Sequence, residues 1–370
     1  MAEMNFLKAF EKELDKLDVQ VGAGDPPRYW YSTGNYAVNR IISGSFFRGI
    51  PQGRVTGLVG PSGAGKSFLA ANLMASAQRD GAFVLMIDAE NASDEQFVKA
   101  IGVDTSLTNY RYVGVRTIPQ VNKVISSFVK GYKKDFGPDD PTAPQVLVVI
   151  DSLDMLMTET EEKNFISGTT KGDQGQRNKQ LKQMLRTFVQ AIKQMNISIV
   201  VTDGVYKNQD VMNGEGLYIA KEAIRFSLSQ IIMLTKLKLK DKGETVVKGI
   251  RMKCEGFKTR FTKPYQKVVV EVPYDTGMNA YSGLLEVALE LDVVKQKGSR
   301  YSLAGEDKTW YAKDIADHAD NILSTVEEMN SAFLMATGVS DDDIAGPDDD
   351  RSSQARRLDN AKSDEDTDEE

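Results

Sequence analysis

Eight consecutive residues, Gly60-Pro61-Ser62-Gly63-Ala64-Gly65-Lys66-Ser67, fit the pattern G-x-x-x-x-G-K-[ST] of a phosphate-binding loop. The chemistry follows from the residue types. Glycines let the backbone turn tightly, so that several N–H groups and a helix N-terminus aim at one point, which suits a triphosphate. Lys66 is placed to reach the β- and γ-phosphates, and the Ser67 hydroxyl to ligate Mg²⁺. A second candidate is Asp151, which ends the apolar run Val146-Leu147-Val148-Val149-Ile150. After a phosphate loop at this spacing, such an acid holds the metal through its water shell. A third is Glu90, in Ala89-Glu90-Asn91 directly after Phe83–Asp88. A carboxylate there can orient or deprotonate an attacking water. An ordinary exposed loop acid is the plain alternative, and Asp88 competes for the same role.

These residues need a frame. Val55–Val59 reads as a buried strand before the loop, and Phe68–Gln78 as a helix after it, with Phe68, Leu69, Leu73 and Met74 apolar. Further strands are expected at Phe83–Asp88, Val146–Ile150 and Ile197–Thr202, with helices between them. That alternation predicts an α/β fold with a mostly parallel sheet flanked by helices. Ligands of such sheets bind at the carboxyl ends of the strands. Strands near Leu228–Thr235, Val246–Lys253 and Lys267–Val272 extend the sheet. Lys236, Lys238 and Lys240 alternate with Leu237 and Leu239, the pattern of an edge strand protected by lysine. From Pro273 the pattern changes to short helices, including Tyr281–Leu291. At the other end, residues 1–18 form an amphipathic pattern with Leu7, Phe10, Leu14 and Leu17 on one face. A Gly/Pro stretch detaches that helix from the body, so it docks either on its own core or on a neighbouring subunit.

The 370 residues hold one large domain or two ordinary ones, and 41% apolar content supports a proper core. A single cysteine, Cys254, allows no internal disulfide and fits a reducing cytosol. No apolar leader or membrane-spanning run is present, so neither secretion nor membrane insertion is expected. With one histidine and one cysteine, a transition-metal site is not expected. The net charge of −7 is unevenly distributed. Residues 341–370 carry 13 acidic and 4 basic residues, which leaves 42 basic against 40 acidic in the rest. Such a tail cannot bury apolar area and is expected to be disordered. It serves either as a solubilising tail or as a tethered polyanion that competes with nucleic acid for the body.

Two segments look unlike ordinary strand–helix connections. Residues 159–177 are long and polar, with Gly168, Gly172 and Gly175, and residues 204–221 are similar, with Gly214 and Gly216. Long loops in a compact domain are usually functional or disordered. Between Lys171 and Lys193 stand six cations (Lys171, Arg177, Lys179, Lys182, Arg186, Lys193) against Asp173. Both segments leave the same edge of the sheet. A Gly-rich basic surface of this kind, with Lys207 in the second segment, tracks a phosphate backbone without reading bases. A solvated helix face with floppy loops is the alternative. Residues 233–267 hold eleven Lys/Arg and three acids. Among these cations Lys253, Lys258 and Arg260 are candidates for delivery to a neighbour's phosphates.

The chain resembles the RecA family of strand-exchange recombinases, most closely the UvsX-type recombinases of T-even-like bacteriophages, from about Tyr31 to Tyr311. The likeness rests on Ser32-Thr33-Gly34 and Gly53-Arg54 before the phosphate loop, and on Ile87-Asp88-Ala89-Glu90-Asn91-Ala92-Ser93-Asp94 followed by Ile101-Gly102-Val103-Asp104. It rests further on Asp151-Ser152-Leu153 and on Gly277 through Tyr281-Ser282-Gly283-Leu284-Leu285.

The resemblance implies an ATP- and Mg²⁺-dependent helical filament on single-stranded DNA that pairs it with a homologous duplex. By the same resemblance Glu90 is the catalytic carboxylate, Asp94 and Phe97 contact adenine, and residues 159–177 and 204–221 bind DNA. Lys258 matches one of two lysines that reach ATP across the subunit interface, with Arg260 beside it, and the other lysine aligns with Gly256. The N-terminal helix matches an element that packs on the adjacent protomer, and the acidic tail one that restrains DNA binding. Where the family carries Asn then Gln or His after the fourth strand, this chain has Asp203-Gly204, which lacks the side chain thought to sense the γ-phosphate. The second segment also lacks the usual glycine-rich close, since an apolar, helix-like run follows Gly216.

The expected organisation is an oligomerisation helix and linker (1–27), a RecA-type ATPase core (28–272), a small C-terminal α+β domain (273–335) and an acidic tail (336–370). The expected activity is DNA-dependent ATP hydrolysis coupled to strand exchange. Expected partners are single-stranded DNA, homologous duplex, further copies of the chain, a single-strand-binding protein and a loader. The expected setting is cytoplasm, a host's if the source is a phage. Two other readings remain at this point: a ring-forming helicase or motor of the same fold, and a DNA-binding scaffold with weak ATPase. A small-molecule kinase is disfavoured, because nothing resembles a hydroxyl-acceptor pocket.

Overall fold

The structure is a computed structural model that describes residues 8, 10–14, 16, 26–91, 94–106, 108–137, 140–169, 175–207, 218–241, 243 and 245–337. A short pair, β1 (Trp30–Tyr31) with β2 (Ile50–Pro51), brackets helix α1 (Tyr36–Ser43). Asn35 caps that helix through its side chain, and Gly44 ends it in the left-handed region at φ 89°. An eight-stranded sheet follows in the order β12-β11-β10-β3-β7-β6-β4-β5. Its parallel part comprises β3 (Val55–Val59), β4 (Phe83–Asp88), β5 (Tyr110–Gly114), β6 (Val146–Asp151), β7 (Ile197–Asp203) and β10 (Gln230–Leu239). Strands β11 (Gly249–Lys258) and β12 (Lys267–Pro273) close one side antiparallel.

The central strands are buried on both faces, which explains their near-continuous Val/Ile/Leu runs. Helix α2 (Lys66–Arg79) follows the phosphate loop, and α3 (Glu95–Ala100) follows β4. One face of the sheet packs into a cluster that includes Leu69, Leu73 and Met74 of α2. The other packs against α4 (Ile118–Asp135) through Val121 and Ile125 and against a later helix through Met184 and Phe188. Strand β5 has no counterpart in the alternation expected from sequence. Three of its five residues are exposed, so an apolar run is missing.

The lysine-rich strand is a correction. β10 is not an edge strand: its first half lies between β3 and β11, and its Lys236–Leu239 half continues beyond β3 paired to β11 alone. The edges of the sheet are β12 and β5. The described parts of the two long segments carry regular structure that a reading as loops does not imply. Glu159–Ile166 is helix α5, started by a capping box at Thr158 and Glu161, and Gln176–Ala191 is helix α6. The second segment rises on a two-stranded ribbon, β8 (Val205–Lys207) with β9 (Tyr218–Ala220). The run after Gly216 therefore enters as a strand, and α7 (Glu222–Ser227) starts only afterwards.

Beyond β12 the chain forms α8 (Leu284–Glu290), a hairpin of β13 (Val294–Lys297) and β14 (Arg300–Leu303), and the 19-residue helix α9 (Ala319–Thr337). The residue pattern from Pro273 shows only the short helices, and the strands of the hairpin supply the β part of the expected α+β unit. Leu284, Val287, Ile322 and Val326 join the same buried cluster as Tyr36 and Ile41 of α1. The Tyr281–Leu285 block makes this docking. The Asn35 amide donates to Asn279 O and Ser282 O at 2.9 Å, and a Cβ on Gly283 would stand 2.6 Å from Val268. In the N-terminal segment, residues 10–14 are helical, with Phe10 51% exposed. Leu7, Leu17 and the acidic tail lie outside the described residues.

Candidate nucleotide site and its flanking loops

The phosphate loop leans on β10 and β11, and its glycines are required by that close approach. A Cβ on Gly60 would stand 2.2 Å from Leu234 O, and one on Gly65, at φ 96°, would stand 2.8 Å from the Met252 sulfur. Gly63, at φ 67°, faces the Lys236 ammonium, with Nζ 2.3 Å from where a Cβ would be. Of the intervening residues Ala64 is buried, Ser62 is exposed and Pro61 is half-buried. Lys66 Nζ donates to the carbonyls of Gly60 at 2.9 Å and Pro61 at 3.2 Å. Burial lowers its pKa, while Asp151, Glu90 and Asp203 oppose the shift and Lys236 adds to it. All four charges therefore act on one ammonium.

The parallel register explains the convergence. Val59 pairs with Asp203, and Asp88 with Asp151, so these strands end together. Asp151 is 4% exposed and accepts a very short hydrogen bond from Thr202 Oγ1. Ser67 is exposed at the start of α2. The donor set is a hydroxyl and a carboxylate, both oxygen ligands, which fits Mg²⁺ shared with phosphate oxygens. Asp88 and Glu90 separate cleanly. Asp88 is 2% exposed, and its carboxylate accepts from the backbone N–H groups of Glu90 and Asn91 at 2.8 Å and from Tyr112 at 2.9 Å. It shapes the turn. Glu90 stands exposed at the tip of that turn. Asp94 caps α3 by accepting from Gln96 N at 2.9 Å, with Phe97 40% exposed in the same helix.

Lys258 and Arg260 lie elsewhere. Lys258 pairs with Ile231 at the start of β10 and donates to Arg225 O at 2.8 Å. Burial lowers the pKa of Arg54, which precedes β3, and the nearby Arg260 lowers it further. The phosphate loop follows the opposite end of that strand, roughly 17 Å away at about 3.3 Å per residue. Within one protomer these cations and the phosphate loop therefore sit at opposite ends of the sheet. Gly256 has no room for a lysine, since a Cβ would stand 2.7 Å from Ile41 O.

Of the residues expected to meet DNA, Lys171, Gly172, Gly214 and Gly216 lie outside the described residues. Lys179 is exposed on α6 and Lys207 on the ribbon. Arg177 has a structural duty that the sequence did not show: its guanidinium donates to Leu153 O and Leu156 O at 2.8 Å and to Asp154 O at 2.6 Å, so it holds the turn after β6. Sequence reasoning missed Asp154 and Lys221. Lys221 Nζ pairs with Asp203 Oδ1 at 3.1 Å and, very closely, with Asp154 Oδ1. Asp154 Oδ2 accepts from Gly204 N at 2.6 Å. Burial pushes Asp203 up to about 7, against the Gly204 N–H, Arg177 and Lys66, and it pushes Lys221 down to about 8, helped by Lys66. No spacing rule links positions 154, 203 and 221, because only the fold brings them together.

Among the described residues, no helix is long and apolar enough to cross a membrane. The model of the RecA N-terminal domain family matches residues 8–133. Protein RecA of Clostridioides difficile is 25% identical over 339 residues, covering 88% of this chain and 92% of that protein. Protein RecA of Acholeplasma laidlawii is 26% identical over 324 residues, covering 85% and 92%. Protein RecA of Roseiflexus castenholzii is 23% identical over 347 residues, covering 90% and 93%. The similarity to RecA proteins extends well past the phosphate loop, through both flanking loops and the block docked on α1, and so spans most of the chain.

Proposed function

We infer that this protein is a recombinase: a DNA-dependent ATPase that assembles as a filament on single-stranded DNA and catalyses homologous pairing and strand exchange. The observation that carries this reading is the convergence at one end of the sheet. Lys66, Asp151 and Glu90 act on one point, and both flanking loops leave from the same strand ends. The likeness to UvsX-type recombinases, a phage source with the host cytoplasm as setting, and a single-strand-binding protein and loader as partners belong to the same proposal. So do the divisions at residues 27, 272 and 335.

The residues divide the work as follows. Backbone N–H groups of Gly60–Ser67 and the start of α2 receive the phosphates of ATP. Lys66 turns from the Gly60 and Pro61 carbonyls to the β/γ-phosphates. Ser67 and Asp151 would hold Mg²⁺, which neutralises charge on those phosphates. Glu90, freed of structural duty by Asp88, orients the attacking water and accepts its proton. Asp94 and Phe97 line the adenine side. Lys258 and Arg260, at the far end of their own sheet, supply positive charge to a neighbour's γ-phosphate. Lys179 and Lys207, with Lys171 and the glycines Gly172, Gly214 and Gly216, follow the DNA backbone.

Steady-state ATP hydrolysis with and without single-stranded DNA tests the reading. The expected result is strong stimulation by DNA, lost in Glu90→Gln by about 10²- to 10⁴-fold while ATP and DNA binding persist. Normal turnover in that variant would sink the assignment of Glu90. Closed rings instead of helical filaments under the electron microscope would replace the recombinase by a motor.

A further inference from the structure

Gly204 follows the strand that ends beside the phosphate loop, and it has no side chain with which to touch anything. The space a side chain would take here is filled by another residue. A Cβ at this position would stand 2.2 Å from Asp154 Oδ2. The Asp154 carboxylate takes the space and accepts the Gly204 N–H at 2.6 Å. Its other oxygen meets Lys221, which also holds Asp203 at 3.1 Å.

These residues occupy informative places in the chain. Asp154 stands in the turn between β6 and α5, the stem of the first loop, and Arg177 at the far stem is bonded to the same turn. Lys221 directly follows β9, the closing strand of the second loop, and it lies over the Tyr206 ring of β8 at 5.9 Å. Asp203 ends β7, and its carbonyl accepts the N–H of Gly60, the first residue of the phosphate loop, at 3.2 Å. A continuous set of polar contacts therefore joins both loop stems to the phosphate loop.

We propose that Asp154 and Lys221 are positioning residues that couple DNA on the two loops to ATP turnover, in the place of the side chain Gly204 lacks. The inference rests on the DNA-dependent turnover proposed above. Its physical basis is that one ammonium serves two carboxylates. Lys221 and Asp203 are largely screened from water, with side chains 12% and 3% exposed. Withdrawing Lys221 leaves a buried carboxylate uncompensated, which is strongly unfavourable. The stem of the second loop therefore cannot shift without moving Asp154 and Asp203 or breaking the cluster. The phosphate site acts on the same cluster, because Lys66 interacts electrostatically with both Asp203 and Lys221. Polyphosphate on Lys66 changes the field at Lys221, and DNA on the ribbon changes its position. One element responds to both ligands, which is the requirement for coupling.

The test compares wild type, Asp154→Asn, Lys221→Gln, the double variant and Lys221→Arg in the full-length chain. Each is assayed for DNA-free turnover, DNA-stimulated turnover, nucleotide affinity, single-stranded DNA affinity by fluorescence anisotropy, and thermal midpoint. The expected result is a tenfold or greater loss of the stimulation factor in both single variants, with both affinities held within threefold. The double variant should be no worse than either single, and Lys221→Arg should recover most of the stimulation. If Asp154→Asn does not fold, Lys221→Gln with its arginine control decides alone. Stimulation within twofold of wild type in the single variants overturns the proposal. So does a loss matched by an equal loss of DNA affinity, which would indicate a loop that simply fails to form its binding surface. Wild type bound to DNA but unstimulated would overturn both this inference and the function on which it rests.

Discussion

The phosphate loop and the loop stems lie side by side, yet they are built on opposite principles. The phosphate loop is a local object: eight consecutive residues, glycines where the backbone presses on Leu234 and Met252, and a lysine on its own carbonyls. The stems are a non-local object: Asp154, Asp203 and Lys221 arrive from three separate strand ends and are held by charge. The first kind is specified by steric exclusion, most strictly at Gly60, where a Cβ would meet backbone. The second is specified by charge balance and tolerates change that keeps the balance. The difference suits the tasks, since a phosphate cradle must be rigid and a signalling contact must have more than one arrangement.

The largest effect expected from this contrast concerns the cradle and its remote cations. Lys66→Ala should abolish turnover in its own protomer, and Lys258→Ala should do so in its neighbour's site. Neither variant should be active alone, but a mixture of the two should recover a measurable part of wild-type ATPase, because some interfaces then join an intact cradle to an intact Lys258. A mixture no more active than its components would place Lys258 outside the nucleotide site. Next in size is Gly60→Ala, whose methyl group would press on Leu234 O. It should cost about 1–3 kcal/mol, read as a fall in denaturant midpoint, with ATP binding lost in parallel.

A smaller effect tests the charge balance. Asp203 has its carboxyl raised to about 7. Its folded form therefore binds more protons than the unfolded chain between the ordinary carboxylate range and pH 7. Stability from this group is fully present below that ordinary range and is lost as pH rises through about 7. Asp203→Asn should remove that component, so the thermal midpoint of the variant should fall less than wild type between pH 5 and pH 7.5. Equal slopes would mean that Lys221 keeps Asp203 fully ionised. The smallest effect belongs to Lys207, exposed as the last residue of β8. Lys207→Ala should weaken single-stranded DNA binding uniformly across sequences and reduce the slope of log affinity against log salt by about 0.7. An unchanged slope would remove Lys207 from the DNA surface.

Much of the fold was legible because buried parallel strands write themselves as apolar runs. β3, β4, β6 and β7 emerge within a residue of their observed ends for that reason. β5 did not, because its Tyr110–Gly114 sequence faces solvent over most of its length and carries no such run. The lysine alternation of β10 was read as an edge because exposure on its outer half was real, while its inner half was hidden in the partnership with β3. Arg177 looked like one more cation of a basic stretch, and only its three carbonyl partners show that it holds a turn.

The sequence by itself determined the phosphate cradle, the acids at the ends of β4 and β6 and the α/β alternation that sets them in line, since each depends on neighbours in the chain or on burial of a continuous run. Residue pattern alone left Asp88 and Glu90 both open, and the resemblance pointed to Glu90. The tertiary structure adds that both Asp88 oxygens are taken by backbone N–H groups and Tyr112, with Glu90 exposed at the tip. It alone also put Lys258 at the far end of the sheet and joined Asp154 to Lys221. Those placements depend on strand order and register, and charges brought together across 67 residues of chain leave no periodic trace for a sequence to display.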